Sequence, residues 1–452
     1  MRVLLGLLLA AGVCAAQGGS DDDFHVFSDS PRLLLTKARL RLIQRERERQ
    51  SARWQQLDAL VAGGAPMPEP GLAYGLYYRA SGNAAWARQA VDWALSAAAE
   101  EGRPEHLRQL ALVYDWCDME APQREQLGAK IERGLAALTQ STANAAIDLS
   151  RQNARSLAAI AVADRLADHA ESVFKPMIEQ WWRGDLAKRL VAGTAVIPHD
   201  QSYVLMEWIH VIRDNLKIDL RESAPEYFKL FPTGHLVGHY PAPLQAPENE
   251  YRVPIYVRNG EPDVRDAVYS RAAGLAMVAF DPNAAEIQFL QGWLMQNRFT
   301  MRGALGVPYE YLWANPYQPG LSYFQVPLVF HNATNGHLFA RTSWDEDARW
   351  LGYFDGNLQV FQDGEVQSLK PGATTKPIRV GNTVVLASPD REQARFRADA
   401  EGVFVIGLAP RAMYAIEIDD QELSEDETDS GGTLVLSLPE GIDAGVKIRK
   451  QE

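Results

Sequence analysis

The sequence predicts a two-part chain: an incomplete α/α toroid of helical hairpins followed by a small antiparallel β-sandwich. Three observations carry that expectation. Apolar residues recur at helical spacing in one segment after another from about residue 36 to residue 300. Pro316, Pro319-Gly320 and Pro327 then punctuate the chain. Beyond them come short alternating segments separated by Asp-Gly, Gly-Asn and Pro-Asp turns. A length of 452 residues also exceeds the size at which one core usually stops growing. The expected divisions are an export signal at 1–16, the helical domain at 24–320 and the β domain at 321–452.

The opening MRVLLGLLLAAGVCAAQGG has a basic residue, Arg2, then an apolar run from Leu4 to Val13 and small residues before Gln17. The run is too short to span a bilayer, so it reads as a cleaved signal that sends the chain to the periplasm or outside the cell. Removing it leaves Cys117 as the only thiol, which excludes an internal disulfide; in the stretch VYDWCDM that thiol reads as a small core residue.

The helical elements follow in order. Thr36 can cap a helix through LRLIQRERERQSARWQQLDALV, ended by Gly63-Gly64. GLAYGLYYRA and, after Ser81-Gly82-Asn83, AAWARQAVDWALSAAAEE form the next pair. EHLRQLALVYDWC is followed by a helix opened by Pro122 in its first turn. NARSLAAIAVADRLADHA, the stretch from Ile178 to Val191, SYVLMEWIHVIRDNL, DVRDAVYSRAAGLAMVAF and AAEIQFLQGWLMQNRF complete the set. Each has an apolar stripe to bury against its neighbours, and no strict repeat is present, so a closed ring of hairpins fits better than a solenoid. Strands are expected in HLFARTSW, RWLGYFDG, LQVFQDG, PIRVGNTVVLAS, ARFRAD, GVFVIGL, MYAIEID, TLVLSL and GVKIRK. The carboxylate-rich EIDDQELSEDETDSGG between two of them reads as a solvated hairpin tip, without the spacing of a calcium loop.

Lys and Arg number 45 against 58 Asp and Glu, a formal net charge of −13. That argues against nucleic-acid or anionic-membrane binding, which needs a basic face. No P-loop, dinucleotide fingerprint, Cys/His zinc spacing or Gly-x-Ser-x-Gly element occurs, so neither cofactor nor metal is expected. Oligomeric state is not legible.

Several segments, taken in order, resemble the heparinase II/III-like polysaccharide lyases. SPRLLLT is similar to the entry of their toroids, and LALVYDWCDMEAPQREQL to their Tyr-Asp-Trp and Pro-x-x-Arg element. RAAGLAMVAFDP, YEYLWANP and ARTSWDEDARWLGYFDG resemble the toroid's end and the first sheet, and GLAPRAMYAIEIDD…GGTLVLSLPEG the last strands. The resemblance implies β-elimination on a uronate-containing acidic polysaccharide. That chemistry needs a group to neutralise the uronate carboxylate, a base for the C5 proton and an acid for the leaving oxygen.

Carried over position by position, Asn153 is similar to the neutralising residue, with Gln152 and Arg155 beside it as substrate contacts; the alternative is a helix-capping Asn with solvated neighbours. Tyr203 resembles the family's Tyr. His199 lies four residues earlier, so both share a face if the helix already runs there. Glu250, Tyr251 and Arg252 are expected in a cleft loop, and Trp208 is a candidate stacking platform, although tryptophans in amphipathic helices are more often core. The departure lies in the β domain. The Gly-His-x-His-x-Asp-like segment that carries the family's catalytic His is missing, and no histidine follows His337. His331 is the expected substitute, with His337 as a further possibility. Two alternatives to a lyase stay open: a catalytically reduced relative that binds glycan, and a glycoside hydrolase using carboxylates from Asp200, Glu207 and Glu250.

Overall fold

The computed structural model describes residues 24–140, 148–166, 169–244, 263–296, 301–370, 376–398, 400, 402–419, 421–438 and 443–451. The signal segment at 1–16 lies outside them.

The helical part contains α1 (Lys37–Glu48), α2 (Ala52–Val61), α3 (Pro70–Ser81), α4 (Ala84–Leu95), α5 (Pro104–Trp116), α6 (Ala121–Gln140), α7 (Leu149–Ala161), α8 (Ala163–Leu166) and α9 (His169–Lys175). A π-helical stretch at Pro176–Leu186 leads into α10 (Ala187–Val191). Then follow α11 (Ser202–Leu216), α12 (Pro225–Val237), α13 (Val264–Phe280), α14 (Ala285–Gln296) and α15 (Gly303–Trp313).

Local chemistry sets the boundaries. The Thr36 hydroxyl accepts the Arg39 backbone N–H at 3.3 Å, and Asp263 accepts from Arg265 and Asp266 at the start of α13. The first helix is not continuous, as the sequence suggested. Gln50 takes a left-handed φ of 51°, and Ser51 starts a new helix by accepting from Trp54 at 3.2 Å.

Two kinds of helix alternate. Outer helices such as α4 bury one stripe, whereas α5 is buried at every residue from Leu107 to Trp116 and α13 nearly throughout. The inner helices α3, α5, α7, α11 and α13 pack each on the next, followed by α15, which returns to α2 and α3 and closes the ring. The Tyr311 hydroxyl donates to the Ile43 carbonyl, and the Arg39 guanidinium sits 4.0 Å from the centre of the Trp313 ring, so the ends of the ring are tied by polar as well as apolar contacts. Two of the segments that resemble the lyase family meet here: the Asp115 carboxylate accepts the backbone N–H groups of Arg32 and Leu33 at 2.8 Å each, and the Trp116 indole donates to the Leu33 carbonyl at 2.8 Å. Their role is to seat the N-terminal segment on the ring. Cys117 is buried and free, its thiol pushed up to about 12 by burial.

The β part has thirteen strands among the described residues: β1 (Val329–Asn332), β2 (His337–Arg341), β3 (Trp350–Phe354), β4 (Asn357–Gln362), β5 (Glu365–Leu369), β6 (Ile378–Val380), β7 (Thr383–Ala387), β8 (Gln393–Ala398), β9 (Gly402–Ile406), β10 (Met413–Ile418), β11 (Gln421–Glu427), β12 (Leu434–Ser437) and β13 (Ala444–Lys450). They form three sheets, ordered β1-β2-β3-β4-β5, β12-β9-β7-β6 and β11-β10-β13-β8. Pairing is antiparallel except between β7 and β9, which run parallel, a detail that alternation alone could not disclose. Within EIDDQELSEDETDSGG, Asp429 is not part of a solvated tip: it is buried and accepts the backbone N–H groups of Gly431 and Thr433 at 2.8 Å each.

The first sheet is the joint between the two parts. Every residue of β2 and β3 is buried, because one face joins the toroid core through Phe339, Trp350, Phe354 and Phe361 while the other packs Leu338, Leu351 and Leu358 on the second sheet. Tyr240, just beyond α12, meets Trp350 edge-on at 5.2 Å and donates to Gln359 at 2.7 Å. The Trp350 indole donates to the Val237 carbonyl at 2.9 Å. At Gly193, where φ is 68°, an added Cβ would lie 1.8 Å from the Thr334 carbonyl oxygen, so only glycine allows the β1–β2 turn to close on the toroid. Trp350→Ala should therefore destabilise the whole chain by about 3–5 kcal/mol in urea unfolding. A loss below about 1 kcal/mol would mean that this joint does not hold the two parts together.

Candidate functional site

The inner helices and the residue that leads into α3 present polar groups to a common centre. Glu69 immediately precedes α3, Arg108 lies on α5, Asn153 on α7, Tyr203 and Glu207 on α11, Tyr269 on α13 and Tyr309 on α15. Tyr203 and Glu207 are one turn apart, so their side chains lie side by side.

Glu207 is fully buried and is the hub. Arg108 grips it with two N–H groups, Nε to Oε1 at 2.6 Å and Nη2 to Oε2 at 2.7 Å. Asn153 Nδ2 donates to Oε1 at 2.7 Å, and the Tyr203 hydroxyl donates to Oε2. Arg108 Nη1 also reaches Glu69 at 2.9 Å, and Glu69 accepts the hydroxyls of Tyr269 at 3.0 Å and Tyr309 at 2.7 Å. The Trp313 indole donates to the Tyr203 oxygen at 3.2 Å. Burial alone would keep Glu207 neutral, but Arg108 and the three donors outweigh it and hold the carboxyl below its ordinary range. Burial likewise opposes the Arg108 charge, and Glu207, Tyr309 and Glu69 more than restore it. Burial, then Glu207, push the Tyr203 phenol well above its ordinary value, so its proton stays on.

These residues line a cleft of about 310 Å³, with Glu105, Asp200, Gln201, Arg265 and Asp266 towards its rim. Asn153 and Tyr203 thus lie in one site, and Asn153 is not a helix cap; Asp148 caps α7 by accepting from Arg151 at 3.0 Å.

Other expected site residues lie elsewhere. His199 precedes α11 on a 3-10 turn, so it does not share a helical face with Tyr203. Its Nε2 meets the Ser270 hydroxyl at 3.0 Å and its ring stacks on His235 at 5.5 Å. It borders a separate cavity of about 60 Å³ at the joint between the two parts, together with His235, His337, Asn332 and Asn335. That space admits water but not a sugar ring. Burial, then His235 and His337, keep the His199 imidazole well below its ordinary value, and burial pulls His235 to about 4. His331 is a correction: it pairs with Asp429 at 2.8 Å and packs on Phe404, inside the β domain and away from the cleft. His337, from β2, is the β-domain histidine that reaches the toroid.

Trp208 is also corrected. It is fully buried, donates to the Ser156 hydroxyl at 2.9 Å and packs edge-on against Trp181 and Trp182, so it offers no face to a ligand. Gln152 accepts from Arg155 at 2.9 Å, a local pair beside the cleft that does not enter its lining. Glu250, Tyr251 and Arg252 lie outside the described residues. Sequence reading missed Glu69, Arg108, Tyr269 and Tyr309. The available signal was Arg108, a lone cation inside the apolar run of an inner helix. Among the described residues no group of three or more His, Cys, Asp or Glu side chains could hold a metal ion, and no helix is long and apolar enough to cross a membrane.

No protein-family model and no curated protein sequence matches the chain. Among solved structures it is similar to heparan sulfate lyase HepC from Pedobacter heparinus, at 11% identity and a TM-score of 0.40, over 84% of this chain and 75% of the lyase. It is also similar to a glycoside hydrolase at 10% identity and a TM-score of 0.34, over 85% of this chain and 71% of the other. Likeness this remote assigns no activity.

The hub makes a pH-dependent contribution to stability. A carboxyl whose folded pKa lies below its unfolded value stabilises above that value, and the contribution fades as pH falls through the folded pKa. Glu207→Gln should lower stability at neutral pH by about 3–5 kcal/mol, because Arg108 loses its buried partner. It should also flatten the decline in stability below pH 4.5, the ordinary glutamate value. Urea unfolding across pH tests both; an unchanged acid limb would mean that Glu207 is not ionised in the fold.

Proposed function

We propose that this chain is a glycan-binding protein built like a toroid lyase that does not carry out β-elimination on uronates. One observation carries the reading: the three groups that would handle a uronate are already committed to a single buried carboxylate. Asn153, Arg108 and Tyr203 all donate to Glu207.

The energetics point the same way. Turning Arg108 towards a substrate carboxylate would take the counter-charge from the fully buried Glu207, which costs about 3–5 kcal/mol. One donor to a developing oxyanion returns about 2.7–4 kcal/mol, so rearrangement brings no net gain. Tyr203 cannot serve as the base near neutral pH, since its pKa is driven away from the working range. His199, uncharged and bonded to Ser270, faces the other cavity.

Glycan binding is supported by the sequence resemblance and by the lining of the cleft. Tyr269, half-buried and stacked on Tyr203 at 5.9 Å, supplies an aromatic surface, and carboxylate and amide groups surround it. This is the mixture of aromatic face and polar edge that a sugar ring demands.

Purified chain mixed with a panel of uronic-acid polymers should give no rise in the absorbance of unsaturated uronate, while affinity electrophoresis against a wider set of polysaccharides should show retardation by at least one. A sustained rise in that absorbance would overturn the reading, as would the release of reducing ends. Tyr203→Phe should keep the retardation and lower stability by about 1.5–3 kcal/mol, the weight of one buried hydrogen bond to a charged group.

A further inference from the structure

The donors and acceptors of the cleft, counted one by one, are unequal, and the imbalance names a ligand class. The phenolic protons of Tyr203, Tyr269 and Tyr309 all point to carboxylates, and the Tyr203 oxygen already accepts from Trp313 and Arg108, so the three hydroxyls offer a ligand no donor. Arg108 is offset by two carboxylates, Glu69 and Glu207. Across the whole lining, five carboxylates (Glu69, Glu105, Asp200, Glu207 and Asp266) stand against two guanidiniums, Arg108 and Arg265.

Asn153 adds an independent observation. It is 2% exposed and lines the cleft, and its Oδ1 has no hydrogen-bond partner. The assignment of its two amide atoms follows from chemistry, because only Nδ2 can face the Glu207 carboxylate. A buried acceptor left open costs about 1–3 kcal/mol, a penalty that a ligand donor would relieve. The N-terminal ends of the inner helices would otherwise favour an anion. Glu105 in the first turn of α5 and Asp266 in the first turn of α13 already meet two of those ends, and Asp148 caps a third.

We infer that the cleft takes a sugar bearing a protonated amine, with the ammonium group donating to Asn153 Oδ1 and to Glu69. An ammonium is all donor and no acceptor, the complement of this lining, whereas a uronate adds acceptors and a negative charge where both are in excess. The inference rests on the glycan-binding reading and names its ligand.

Isothermal titration of the full chain separates the two. The probes are oligosaccharides of equal length: glucosamine with free amines, its fully N-acetylated form, an uncharged glucan and a uronate. The buffer is acidic enough to protonate the amine yet above the carboxylate range. The free-amine oligomer should bind about tenfold or more tighter than its N-acetylated twin, the weight of one hydrogen bond to a charged group. Glu69→Gln should remove most of that advantage, read as the ratio of free-amine to N-acetylated affinity within the variant, and Asp200→Asn on the rim should reduce it less. Equal affinity for the free and acetylated forms overturns the inference and leaves glycan binding standing. An advantage that survives Glu69→Gln in a chain with an unchanged urea midpoint overturns it as well. Tightest binding of the uronate overturns the donor-acceptor argument, and no binding of any oligomer overturns both readings.

Discussion

The buried pair between Arg108 and Glu207 is the constraint on which the rest of this toroid depends. Helices of a ring must agree on rotation and height, and apolar stripes specify neither sharply, since leucine and alanine faces slide with little penalty. A carboxylate with no solvent access has no such tolerance: it is stable only when its oxygens meet donors. Glu207 draws those donors from α5, α7 and its own helix, and Arg108 carries the connection to Glu69, where hydroxyls from α13 and α15 join. Every inner helix is thereby placed relative to one point on the axis. The pair contributes little net free energy compared with an apolar substitute, but it penalises every other register.

That structural service conflicts with catalysis. An elimination site needs donors held ready with no partner of their own, so that charge developing in substrate meets them without reorganisation. Here the same residue types at the expected positions have a partner already. On the proposed glycan-binding reading, what Glu207 does to Asn153 and Tyr203 matters more than which residues stand at those positions.

Legibility in the sequence follows from the range of the forces involved. Features fixed within a turn were readable: the Thr36 cap, the proline openings and the alternation of β8, where Gln393, Arg395 and Arg397 are exposed between buried alanines and Phe396. The break at Gln50 was missed because polar residues continue the helical pattern through it, and the signal was Ser51 alone. Asn153 and Tyr203 were singled out by resemblance. The Tyr203 bond to Glu207 lies within one helical turn, whereas the bonds from Asn153 to Glu207 and from Arg108 to Tyr203 run across helices 50 residues or more apart in sequence, which no local pattern encodes. His199 was placed wrongly because spacing of four implies a shared face only inside a helix, and α11 starts three residues later. Trp208 shows the converse: on a helix whose buried residues run almost without interruption, an aromatic is core whichever way it points.

The missing histidine segment of the β domain has a structural counterpart. β3 and β4 are joined by a tight turn at Asp355-Gly356, with both residues at positive φ, which leaves no room for an inserted segment between these two strands. His337, at the start of β2, is what remains near the toroid, and Asp355 in that same turn holds its Nε2 at 3.3 Å. The side chain that could have supplied a proton to a substrate is thus anchored to its own sheet, over a cavity that a sugar cannot enter. The two inner strands that pack on the toroid, β2 and β3, are buried at every residue, which holds His337 in place at the joint.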